Sequence, residues 1–331
     1  MDSTRGIAIL LVVFFHSISL PQAHAGVPVN QFVLDASTIF APYRMSVLFL
    51  LSGLLLERSL QKPWGTYAWG KVRALVWPFL VWMLIGRFIE GYTDVGDPMF
   101  WYPNNWLWFI AYLAVYYAVA PLVTRVPGRW LAVVPVACWL ASAAAPTEDS
   151  SKLLYFAGFF FLGHLAARMR PELHRLESTR LMVGCLIVAA ALSAVLVARD
   201  HGVHDLWRTG ADAHRPLLAP VVVIALAGLI MLIRRTTAPG ERASAPTRWL
   251  RFLGQNAVVF YLVNFPVQVF VSLRLADAGI SSQWIALPLC FVSALAAGLL
   301  ACALRRFRLV DALFVAPGPT RRPSATLQRT R

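Results

Sequence analysis

The chain has 331 residues, 58% of them hydrophobic and only 14% charged, with a formal net charge of +14 and a mean hydropathy of +0.62. A soluble globular domain carries roughly a quarter charged residues, so this composition excludes an ordinary soluble fold and points to an integral membrane protein with many spans. In such a protein the excess base collects in cytoplasmic loops and sets orientation, which explains the charge without nucleic-acid binding.

An apolar run of about 20 residues suffices to cross a bilayer. Ten such runs follow one another: 5–21, 38–57, 72–92, 105–124, 129–146, 151–168, 180–198, 216–233, 249–273 and 283–304. The first has no small-residue cleavage site and reads as a retained helix rather than a signal peptide. Pro42 and Arg44 interrupt the second, and Asn256 and Asn264 the ninth. Base-rich and base-poor connections alternate: Arg58, Lys62, Lys71 and Arg73, then Glu90, Asp94 and Asp97; later Arg168, Arg170, Arg175 and Arg180, a mixed loop, then Arg234, Arg235, Arg242, Arg248 and Arg251. The positive-inside rule then predicts an even number of spans with both termini in the cytoplasm. The expected fold class is all-α: a polytopic plasma-membrane protein with a bundle of about ten transmembrane helices over 1–310 and a basic, disordered cytoplasmic tail over 311–331. With no further domain after the last span, a stand-alone membrane unit is expected. Cys138, Cys185, Cys290 and Cys302 lie in apolar segments without CxxC spacing, a pattern that supports neither a metal site nor a disulfide framework.

Chemistry is written first into "RGIAILLVVFFHS", residues 5–17. Arg5 and His16 are eleven residues apart, so on a helix they share a face, with His16 about 16 Å beyond Arg5. An ionisable ring at that depth is costly and faces the bundle interior or a wet cavity. The same arithmetic places Arg44, Arg87, Tyr261 and Asn264 at about 18–22 Å from the inner edge, a layer that forms one expected site. Arg44 and Arg87 could instead snorkel to the outer headgroups. A second layer at the inner rim holds Arg5, Lys71 and Arg73, with His164 one turn above Arg168; it suits either the phosphates of a cytosolic donor or anionic lipid headgroups.

These stretches resemble a known family. "MDSTRGIAILLVVFFHS" is similar to the opening of the membrane-bound acyltransferase 3 family, marked by Arg or Lys, ten residues, then His; Arg5 and His16 fit it. "YRMSVLFLLSGLLLERSL" resembles the family's second helix, with Arg44, Ser52 and Gly53, and "KVRALVWPFLVW" resembles the start of its third, with Arg73 and Pro78. "NWLWFIAYLAVYYAVAPLV" and "LGQNAVVFYLVNFPV" resemble two later motifs, the last departing from the family by Asn264 in place of histidine and Ala257 in place of serine. The nearest subgroup is the fucose-4-O-acetylase-like sugar acetyltransferases.

The resemblance implies a membrane-embedded O-acyltransferase. It would take an acyl group, commonly acetyl, from cytosolic acyl-CoA and pass it to a hydroxyl of a glycan, lipid-linked sugar or secondary metabolite. His16 would be general base or acyl carrier, Arg44 would stabilise the oxyanion or orient the acceptor, and Asn264 would orient a partner without shuttling protons. Arg5, Lys71 and Arg73 would hold the CoA phosphates, and Arg87 and Tyr261 would contact the acceptor. No metal is implied. A transporter or flippase for a small anion or glycan, or an inactive relative acting as a sensor, is the alternative; the former expects repeat symmetry and broken paired helices.

Overall fold

The first helix, α1 (Asp2–Ala25), ends where Gly26 takes a left-handed conformation (φ +59°) and its N–H reaches back to the Pro21 carbonyl, the usual way a glycine closes a helix. Five residues later Asn30 caps α2 (Gln31–Gly53), its side-chain oxygen accepting from the Val33 N–H at 3.0 Å. This computed structural model describes residues 1–89, 91–103, 106–127, 130–169, 172, 177–203, 206, 213–237 and 244–318. Glu90, Arg170, Arg175 and Arg242, counted above among the loop charges, lie outside the described residues, as does the tail from 319 to 331.

All regular structure among the described residues is helical. After α2 come α3 (Leu56–Leu60), α4 (Trp64–Lys71), a π-helical turn (Val72–Val76) and α5 (Trp77–Ile89). The widened turn opens the backbone just ahead of Pro78, whose ring would otherwise press on the carbonyl of Ala74. Then follow α6 (Trp108–Val123), α7 (Val133–Ala143), α8 (Glu148–Arg168), α9 (Thr179–Asp200), α10 (Ala219–Thr236), α11 (Ala245–Gln255), α12 (Ala257–Asp277), α13 (Gln283–Leu304) and the short α14 (Arg308–Asp311).

Among the described residues, seven helical stretches are long and apolar enough to cross a membrane: 2–25, 31–60, 64–89, 179–200, 216–236, 257–277 and 283–304. The expected count of about ten is therefore not reached on length and composition. α6 and α7 are apolar but shorter. α8, at 21 residues, carries Glu148, Asp149, Lys152, His164 and Arg168, which lowers its hydropathy. It is nonetheless a core helix, buried without a break from Tyr155 to Phe161. α1, α2 and α8 form the centre with α12, while α9, α10 and α13 turn most of their apolar surface outward, as lipid-facing helices do.

Two expectations about helix boundaries are corrected. The run 249–273 is not one helix: it breaks at Asn256, whose side-chain amide donates to the Phe252 carbonyl at 3.0 Å and closes α11. α11 then lies antiparallel against the start of α1, with Gly254 against the Asp2 carbonyl and Gly6 against that of Leu250. Asn264 does not interrupt α12, because its amide nitrogen donates back to the Phe260 carbonyl (3.0 Å) and to the Tyr261 carbonyl (2.6 Å). Beyond α14 the chain packs back on the bundle as far as Gly318. The Trp82 indole donates to the Leu313 carbonyl (2.9 Å), Arg73 Nε donates to that of Ala316 (2.7 Å), and Phe314 is buried.

A tight joint lies between α2 and α8. A Cβ on Gly53 would fall on the Phe160 carbonyl, and one on Gly163 on that of Leu50. Small residues facing each other let two helices approach in the absence of a water-driven force. Gly53→Ala and Gly163→Ala should each cost about 1–3 kcal/mol of overpacking. Gly184→Ala, where nothing lies within 4 Å, should be neutral. Thermal unfolding of the purified variants in detergent checks this.

Candidate active site

His16 lies near the middle of α1, buried (8% exposed). Its Nδ1 is 2.8 Å from Oδ1 of Asn264 on α12. The amide of Asn264 already spends its N–H donors on two backbone carbonyls, so only its oxygen is left for the ring. A flipped amide would set N–H against N and oxygen against two carbonyl oxygens. Nδ1 must therefore donate, and Nε2 carries the lone pair. One turn on, Gln268 is fully buried and donates to the Val13 carbonyl at 3.2 Å, pinning α12 to α1 a second time. The ring is wedged edge-on against Phe265 (centroids 5.3 Å, 86°), and Phe265 stacks on Trp106 (4.7 Å, 8°).

Arg44 enters from α2. Pro42 lies two residues earlier, and the helix runs through it unbroken. The guanidinium is buried, its carbon 3.8 Å above the Phe15 ring, and no described carboxylate lies within ion-pairing distance. An unpaired arginine at this depth costs roughly 2.5–3.5 kcal/mol on insertion scales. A bundle keeps such a group where its N–H groups meet a ligand or water.

These residues line a cavity of about 380 Å³. Val12, Phe15, His16, Arg44, Trp106 and Tyr261 form its inner wall, and the Tyr261 hydroxyl donates to the Trp106 carbonyl. Trp108, Glu148, Asp149, Lys152, His214 and Arg215 form its mouth. The mouth lies at the end of the bundle away from Met1, where Gly202 donates to Gln31 at the start of α2. Lys152 Nζ rests 3.7 Å over the Trp108 ring. Asp149 accepts from the Tyr102 hydroxyl, and its backbone carbonyl accepts from that of Tyr112 at 3.2 Å. Burial, and then the charges of Arg44 and Lys152, push His214 down to about 3 and keep its ring neutral. Two cavity-lining residues hold a buried polar atom without a hydrogen-bond partner among the described residues: the indole nitrogen of Trp106 and Nε2 of His214. Each such group costs about 1–3 kcal/mol until something pairs with it.

The structure thus brings His16, Arg44, Tyr261 and Asn264 together. Trp106, Trp108, Glu148, Asp149, Lys152 and His214 join them without having been singled out by the sequence. Arg87 is not among them. Its Nε donates to the Phe100 carbonyl (3.0 Å) and its Nη2 to those of Met99 and Tyr102 (3.3 Å each), so it organises the connection between α5 and α6 rather than the cavity. Equal depth along the bilayer normal does not fix the direction a side chain faces.

The basic residues expected at the inner rim lie near the Met1 end and already hold partners. Arg5 pairs with Asp2 (3.8 Å) and donates to the Leu51 carbonyl (3.4 Å). Lys71 donates to Ser59 Oγ (3.1 Å) and sits 3.4 Å over Tyr117. Arg73 is taken up by Ala316. His164 lies 3.5 Å from a Glu57 oxygen, outside the cavity.

A family model described as an acyltransferase domain matches residues 1–304. The chain belongs to that acyltransferase family. No curated protein and no solved structure gives a significant match. The match runs from the first residue to the end of α13, so every cavity-lining residue of this membrane acyltransferase lies within it.

Because Arg87 serves a loop, Arg87→Leu should speed amide exchange across 97–103 by an order of magnitude or more. That corresponds to losing one charge-assisted contact of about 1.5–3 kcal/mol. Exchange around His16 should stay unchanged. Hydrogen–deuterium exchange with mass spectrometry reads both regions in one experiment.

Proposed function

We propose that this acyltransferase is a plasma-membrane O-acyltransferase that moves an acyl group, acetyl in the simplest case, from cytosolic acyl-CoA to a hydroxyl of a glycan, lipid-linked sugar or secondary metabolite. In this reading it belongs with the fucose-4-O-acetylase-like sugar acetyltransferases. The observation that carries the reading is the histidine–asparagine pair beside an unpaired arginine in one buried cavity.

The geometry suits the chemistry. Asn264 fixes the His16 tautomer, so the Nε2 lone pair can take a proton or attack a carbonyl. Arg44 and the Trp106 N–H are donors suited to the oxyanion that forms when a thioester carbonyl becomes tetrahedral. A preorganised donor of that kind is worth about 2.7–4 kcal/mol in the transition state. At the mouth, the Trp108 face with Glu148, Asp149 and Lys152 beside it offers a stacking platform and hydrogen-bonding groups suited to a polyhydroxylated ring. We place the CoA phosphates at the Met1 end, with Arg5, Lys71 and Arg73. The eleven residues from Arg5 to His16 rise about 16 Å, a distance a pantetheine arm spans. Adding α6, α7 and α8 to the seven longer stretches gives ten crossings with both termini in the cytoplasm.

CoA-thiol release by the purified protein tests the reaction and separates an enzyme from a transporter. His16→Gln should lower turnover by about 10²–10⁴-fold, since an amide cannot take the proton. Arg44→Met should lower it about 10²–10³-fold with little change in donor affinity. More than about a tenth of wild-type turnover in His16→Gln, against the 10²–10⁴-fold weight of an acid–base group, would reduce His16 to a structural histidine. The topology has its own test: reporters inserted after Asp97 and after Gly279 should report the outside, and one after Val126 the inside.

A further inference from the structure

The cavity holds a second histidine that this reaction scheme has not used. His214 lies in the connection between α9 and α10, and its ring packs against Phe156 (centroids 5.0 Å, 62°) and Tyr155 (5.7 Å) of the central helix α8. Its Nε2 is buried without a partner among the described residues, and the residue lines the cavity. The Nδ1–H tautomer leaves Nε2 with a lone pair toward the cavity.

In that tautomer the ring matches His16, where Nδ1 donates to an amide oxygen and Nε2 carries the lone pair. The two rings enter one cavity from different elements. His16 comes from the inner wall, and His214 stands at the mouth beside Arg215, Glu148 and Asp149. Arg44 is an electrostatic neighbour of both. One imidazole cannot be nucleophile and base in the same step, because each role uses the same lone pair. Two imidazoles with matching tautomers divide the work.

We infer that His214 is the base that takes the proton of the acceptor hydroxyl, while His16 carries the acyl group between donor and acceptor. The inference rests on the acyl-transfer reading above. In the first half, Nε2 of His16 forms a bond to the thioester carbonyl carbon. The C–S bond breaks with its electron pair on sulfur, and the CoA thiolate leaves to take a proton from the cytosol. The acyl-imidazolium keeps its Nδ1–H on Asn264. In the second half the acceptor O–H gives its proton to Nε2 of His214, and the oxygen bonds to the acyl carbon. The C–N bond breaks with its electron pair returning to Nε2 of His16. The proton on His214 then passes to water at the mouth. The positive charge of Arg44 opposes protonation of His214 at rest, and the oxyanion forming beside Arg44 offsets that charge while the proton moves.

Acetyl-CoA labelled in the acetyl group, mixed with the full-length protein in nanodiscs and with water as the acceptor, tests the division. Wild type should release CoA continuously. His214→Gln should release one CoA per protein and then stall, with turnover down about 10²–10⁴-fold and the label on the peptide containing His16. Added imidazole, which can enter the mouth, should restart it. His16→Gln should show neither burst nor label. Where His214→Gln does not fold, His214→Phe keeps the ring contacts with Tyr155 and Phe156 and answers the same question. Turnover in either His214 variant above about a tenth of wild type, or loss of the burst together with turnover and no rescue by imidazole, overturns the inference while leaving the acyl-transfer reading standing. A wild type that releases no CoA overturns both.

Discussion

In the reading proposed above, a single hydrogen bond, from Nδ1 of His16 to Oδ1 of Asn264 at 2.8 Å, sets the chemistry of this protein. It joins the first helix to the twelfth through a dry, aromatic interior, where an unmet polar group is expensive and a met one is rigid. The bond works because the asparagine is itself fixed by two backbone carbonyls. In that reading, acyl handling at His16 follows from the lone pair that this leaves on Nε2. The neighbouring contact between Gln268 and Val13 keeps the two helices from rotating away.

The cavity concentrates what the rest of the bundle avoids. Among the described residues, several other buried or half-buried cations have been given something to hold: Arg87 three loop carbonyls, Lys71 a hydroxyl and a tyrosine face, Arg73 the carbonyl of Ala316. Among the described residues Arg44 has the face of Phe15. A fold that leaves this charge beside a tautomer-locked histidine is spending stability on a site, as functional centres in membranes do. The close glycine joints serve the same end. By bringing α2 against α8 and α11 against α1, they hold in place the helices from which Arg44, Lys152 and His16 project.

Much of this was legible in the sequence, for a physical reason. A titratable residue inside an apolar run is conspicuous, so His16, Arg44 and Asn264 could be picked out one by one, and the eleven-residue step from Arg5 to His16 could be turned into a height and a face. Height was all that such arithmetic supplied for residues on different helices. Arg87 has the right depth and faces a loop. Lys152, Trp106, Trp108 and His214 reach the cavity from helix ends and connections, where no periodicity marks a side chain as inward-facing; only the tertiary packing of α8 against α2 and α6 brings them in. The break at Asn256 was visible as a polar interruption, but the antiparallel docking of α11 on α1 depends on Gly6 and Gly254, which look unremarkable in the chain. The count of crossings stayed least legible where α8 trades hydropathy for charged and polar side chains.

The central claim is that the acyl group is handled at Nε2 of His16 under the guanidinium of Arg44. Cryo-electron microscopy of the protein in nanodiscs with a non-hydrolysable acetyl-CoA analogue, its sulfur replaced by methylene, tests this most directly. The account predicts the acetyl carbonyl carbon about 3–3.5 Å from Nε2 of His16, a near-attack distance, with its oxygen turned toward Arg44 and the nucleotide at the Met1 end. An analogue bound with its acetyl group outside this cavity, or with the carbonyl turned away from both residues, would contradict it.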